Sequence, residues 1–65
     1  MPALDKFMAH KQAIDALTAE IATLSADHFA TLPDDVHWGH VGTLSYAREK
    51  IAEAAETLRA LARSI

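Results

Sequence analysis

Two stretches of the chain repeat their apolar residues every seven positions, and the segment between them does not. In the first stretch, Phe7, Ile14, Ile21 and His28 form one column. His10, Leu17, Leu24 and Thr31 form its companion. Alternating spacings of three and four are the signature of a coiled-coil type helical seam. The residues around the seam are mostly Ala, Leu, Lys, Gln and Glu, which are good helix formers. Pro2 suits a helix start, because its missing N–H would have no partner there. The pattern predicts helix 1 over about 3–31. Pro33 is expected to stop it and to push Leu32 into an extended conformation.

In the second stretch, Leu44, Ile51, Leu58 and Ile65 recur at the same period. Ala47, Ala54 and Leu61 flank this column on one side, and Val41, Arg48, Ala55 and Ala62 on the other. The pattern predicts helix 2 over about 43–65, with a start a few residues earlier left open and Thr43 as a candidate N-cap. Three columns are wider than a two-helix seam needs, so this helix is expected to touch more than one neighbour. No segment alternates at period two, so no strand is expected.

A loop of about 32–42 joins the two helices in this reading. It holds both glycines, the single tryptophan and two of the four histidines. Pro33-Asp34-Asp35 is favourable turn chemistry. The expected fold is all-α, one 65-residue domain built as an antiparallel two-helix hairpin. Composition then changes the picture. A chain this short buries only about 60% of its unfolded surface and needs a staple. There is no cysteine, which excludes disulfides and Cys-rich zinc sites. The alanines beside the second column permit close helix approach, so the expected staple is a second copy, giving a homodimeric four-helix bundle. Its seam would use Phe7, Ile14, Leu17, Ile21, Leu24, Leu44, Ile51 and Leu58.

The first seam is also nearly palindromic. Antiparallel packing of two first helices places Leu17 opposite Ile21 and Ile14 opposite Leu24. The same register sets His10 against His28 and Phe7 against Thr31. Within one helix His10 and His28 would stand roughly 27 Å apart, too far to share an ion.

The candidate chemistry is sparse. His37 and His40 form H-x-x-H, and on a helical turn they could hold zinc or another divalent transition metal. Asp34, Asp35 or His28 would have to supply a third ligand. The favoured reading is a loop in which His37 and His40 cap or satisfy backbone groups, so no cofactor is expected and the metal is the alternative. Trp38 either folds back as a plug over the open end of the helix pair, the favoured reading, or anchors a protein partner. As an anchor it would have Val36 and Val41 as an apolar surround and Asp34 and Asp35 as a rim.

Net charge is −3, with no basic face of the kind that marks a nucleic-acid binder. Arg48, Arg59 and Arg63 fall within about a 60° arc of helix 2 and would carry a nucleic-acid-binding reading. Glu49, Glu53 and Glu56 run beside them, so a solvated face with local pairs such as Glu56–Arg59 is expected. No cysteine nucleophile, Gly-x-Ser-x-Gly turn or phosphate-cradling loop is present, so no enzyme activity is expected. Asp5 and Lys6 interrupt any leader-like apolar core, and no run reaches the roughly 18 apolar residues of a membrane span. The expectation is a cytoplasmic interaction or regulatory module, acting with itself and with an unidentified protein partner.

Overall fold

Pro2 does begin the first helix. In the computed structural model, which describes residues 2–64, α1 spans Pro2–Ala26. Asp5 lies in its first turn, where a carboxylate suits the positive end of the helix dipole. Lys11 and Asp15 pair across one turn at 2.7 Å. Both ends of that pair are well exposed, so it adds a few tenths of a kcal/mol at most.

The helix ends five residues before the predicted limit, and Pro33 is not what ends it. His28, Phe29 and Ala30 have φ of 54°, 54° and 56°, forming a short left-handed turn. Asp27 precedes them at the negative end of the helix dipole, and no basic residue occupies the last turn to offset it. The turn is tied by Ala30 N–H donating to Asp27 O at 3.0 Å and Thr31 N–H to His28 O at 3.1 Å. Thr31 is extended, at φ −114° and ψ 123°. His28 and Thr31 therefore lie outside α1. The helical register that set them against His10 and Phe7 ends at Ala26, while Ile14/Leu24 and Leu17/Ile21 remain inside it.

Pro33–Asp35 forms a 3₁₀ turn, as its turn chemistry suggests. The second helix, α2, spans Trp38–Arg63 and starts five residues earlier than predicted. Thr43 is not its cap: the Thr43 hydroxyl donates to Gly39 O at 3.1 Å, inside the helix. Ile65, the last residue of the second apolar column, lies outside the described residues. On the polar face, Lys50 sits 3.7 Å from Glu53 and 5.3 Å from the Tyr46 ring centroid. That pairing replaces the expected Glu56–Arg59 pair, which does not form among the described residues.

The fold among the described residues is thus two helices and no strand. It divides into two compact units, Met1–Pro33 and Asp34–Ile65. No described residue is buried. On α1, Ile14 and Ile21 are each 41% exposed. On α2, Leu44, Ile51 and Leu58 are as open, while Ala47 and Ala55 beside them are half-buried. No helix is long and apolar enough to cross a membrane among the described residues.

Gly42 lies inside α2, and a Cβ built there would meet no atom within 4 Å. Glycine in a helix interior costs about 1 kcal/mol relative to alanine. Gly42→Ala is therefore expected to stabilise α2 by about that amount, read as a higher thermal midpoint in circular dichroism.

Candidate functional site

The loop chemistry resolves into a helix cap. His37 has the extended backbone of an N-cap residue, φ −139° and ψ 174°. Its carbonyl accepts from His40 N–H at 2.9 Å and from Val41 N–H at 3.2 Å. Its ring Nδ1 accepts from Gly39 N–H at 3.0 Å. His40 reaches back in turn: its Nδ1 accepts from His37 N–H at 3.3 Å. The reciprocal pattern is a capping box, with imidazoles where Ser or Thr and Glu or Gln usually stand. Val36 and Val41 occupy the flanking positions at which a hydrophobic staple forms. In both rings Nδ1 is the nitrogen that accepts.

The two rings stack face to face, with centroids 3.8 Å apart and planes 27° apart. This geometry bears directly on the metal reading. A metal binds an imidazole nitrogen in the plane of the ring. Stacked rings keep their in-plane lone pairs in two offset planes only 27° apart, rather than aiming them at one point. Both Nδ1 atoms are also committed to backbone N–H groups. Among the described residues no group of three His, Asp or Glu side chains is placed to hold an ion. Within the second unit, neither Asp34 nor Asp35 joins His37 and His40 as the third ligand.

Gly39 sits close against this cap. A Cβ at residue 39 would fall 2.7 Å from His37 Cε1 and 2.9 Å from its Nδ1. The ring cannot swing aside without leaving both its hydrogen bond and its stack. Gly39→Ala is therefore expected to lose the His37 cap, worth about 1 kcal/mol, and to forfeit the gain that alanine gives at Gly42. Comparing the thermal midpoints of the two alanine variants checks this directly.

Trp38 is the first residue of α2 and stands 85% exposed. Trp38 thus belongs to the first turn of α2 rather than to the loop in which the sequence reading set it. Val41 is one turn further on, at 44% exposure, and Val36 precedes the cap at 54%. Asp34 and Asp35 are exposed in the 3₁₀ turn just before. All five residues belong to the second unit. Arg48, Arg59 and Arg63 are exposed along α2 and make no ion pair among the described residues.

Of the two readings of His37 and His40, the structure shows the cap; what residue-type reasoning missed is its reciprocal form at the start of α2. The signal was present as Val36-His37-x-x-His40-Val41, the spacing of staple, cap, reciprocal partner and staple. Comparison with protein-family models, with curated proteins and with solved structures finds no match to this chain.

Proposed function

We propose that this chain is a non-catalytic helical interaction module that works as a homo-oligomer. In this reading α1 and α2 form an antiparallel hairpin, and two copies close into a four-helix bundle. A further protein partner is gripped at the Trp38 end, with Val36 and Val41 beside it.

The observation that carries the reading is the exposure of two in-phase apolar seams. Leu17, Leu24 and Leu61 stand 58%, 47% and 54% open to water, although the sequence spaces them for packing. Each large aliphatic side chain gives about 1.5–3 kcal/mol when fully buried. Ordering the backbone costs about 1–2 kcal/mol per residue, so helices with uncovered seams are poorly supported. A second copy supplies matching surface without any new sequence. The part of the palindrome that lies within α1, Ile14 with Leu24 and Leu17 with Ile21, is self-complementary in the antiparallel sense. The half-buried alanines Ala47 and Ala55 leave room for a neighbouring backbone.

Sedimentation equilibrium of the purified chain tests this. A species of twice the chain mass is the expected result. A helical species of single mass across the concentration range would overturn the reading.

A further inference from the structure

We infer that the partner gripped at the Trp38 end presents a basic helix, and that an arginine of this helix seats in the notch over Gly42, between Trp38 and Tyr46. This rests on the reading that such a grip exists, and it adds the partner's chemistry.

Glycine weakens a helix interior relative to alanine. At Gly39 the structure gives a reason for it, because a Cβ there would meet the His37 ring at 2.7 Å. At Gly42 no such reason exists: a Cβ would meet nothing within 4 Å, and the residue has no positive φ. What Gly42 does is open a gap in the helix surface. Residues four apart form a ridge along a helix. Trp38 therefore stands one turn before the gap and Tyr46 one turn after it, about 12 Å apart along the axis. Trp38 is 85% exposed and Tyr46 64%. Ser45, the neighbour three residues on, is small and exposed.

The apolar seam does not use this surface. Gly42 lies about 160–200° round α2 from Leu44, Ile51 and Leu58. A copy packed on that column leaves the notch open.

Charge selects the occupant. The stretch from Asp34 to Ala47 holds two aspartates and no lysine or arginine. Glu49 lies two turns beyond Gly42, within about 20° of its azimuth. Asp34, Asp35 and Glu49 have no ion-pair partner among the described residues. The Tyr46 ring already draws a cation, since Lys50 Nζ lies 5.3 Å from its centroid. Lys50 is shared with Glu53 at 3.7 Å, which leaves Glu49 free. A guanidinium both stacks on aromatic faces and pairs with carboxylates, so arginine fits this set better than lysine. The positive end of the α2 dipole opposes a cation, but that effect fades within the first turn, and Gly42 lies beyond it. Carboxylates on both sides of the notch would pair with further basic residues of the same helix.

Nuclear magnetic resonance titration of the full chain tests this with three alanine-based helical peptides of about 20 residues. They differ only in carrying arginine, norleucine or glutamate at i,i+4 spacing. The arginine peptide should give saturable shifts at the Trp38 indole and at the Gly42 and Tyr46 amides, and the other two should not. Gly42→Leu fills the notch with a good helix former. It should raise the thermal midpoint of the chain, yet weaken the arginine peptide roughly tenfold. A glycine with no docking role would not separate those two readouts. Glu49→Gln should weaken the peptide about threefold.

Four results would overturn the proposal. Equal shifts with the norleucine or glutamate peptide would keep the Trp38 end as a grip and remove arginine as its ligand. No shift at Trp38 with any peptide would remove the grip as well. Arginine-peptide binding that ignores Gly42→Leu would lie outside the notch. Shifts of the same residues on concentrating the chain alone would assign the notch to a second copy.

Discussion

Replacing Ile51 with aspartate is expected to give a chain that no longer self-associates and that loses most of its helix. Ile51 is central in the Leu44–Ile51–Leu58 column of α2, and at 47% exposure it has no cover within its own unit. In the proposed bundle that face is interior. The substitution removes about 1.5–3 kcal/mol of apolar burial from each copy. It also asks the bundle to take in a carboxylate, which costs several kcal/mol more unless paired. The effect counts twice in a symmetric dimer, so it would exceed the whole stability of so small an assembly. Glu56→Gln is the control: it changes an exposed position on the polar face and should shift stability by under about 0.5 kcal/mol. Circular dichroism and sedimentation of the two variants check both statements. An Ile51→Asp chain with native helix content and native mass would show that the column is not an interior surface.

The second large effect is expected at the left-handed turn. Three consecutive residues without glycine hold φ near 55° at His28–Ala30. Each such residue costs roughly 1–2 kcal/mol through the clash of its Cβ with the backbone. Histidine is among the more tolerant types there, whereas Phe29 and Ala30 gain nothing from their side chains. Ala30→Gly removes one such clash and should raise stability by about 1 kcal/mol, less the added freedom of the unfolded chain. Ala30→Pro should do the opposite. Its ring fixes φ near −65° and deletes the N–H that bonds Asp27 O at 3.0 Å. A loss of about 3 kcal/mol or more is expected. Thermal melts of the pair, run beside the parent chain, would show the two variants moving to opposite sides of it. Equal midpoints would mean that the turn is not left-handed.

The helical character of the chain was legible because it is written redundantly, in heptad spacing and in residue type. The two ends of the linker were less legible, each for a specific reason. Heptad arithmetic carried helix 1 through to Thr31, because His28 and Thr31 fall in phase by counting. The backbone leaves the helix at Asp27, and counting cannot register a change in the sign of φ. The start of α2 was set too late because Thr43 is a conventional cap residue and histidine is not. Two imidazoles in the right reciprocal positions outcompete it, and Thr43 turns its hydroxyl to Gly39 O instead. The same error of position set Trp38 in the loop, whereas it is the first residue of α2 and 85% exposed. Capping as the role of the histidines was legible as one of two readings. Choosing between them needed the direction of each Nδ1, which residue spacing does not contain.

The central claim is that the exposed seams of α1 and α2 are covered by a second copy of the chain. The most direct measurement is the thermal unfolding midpoint followed by circular dichroism over a wide range of chain concentration. A fold completed by its own copy gains stability by mass action. The midpoint should therefore rise steadily with concentration, and helix should be lost on dilution even at low temperature. A midpoint that is sharp, cooperative and independent of concentration would contradict the account, because it would mean that a single chain covers its own seams.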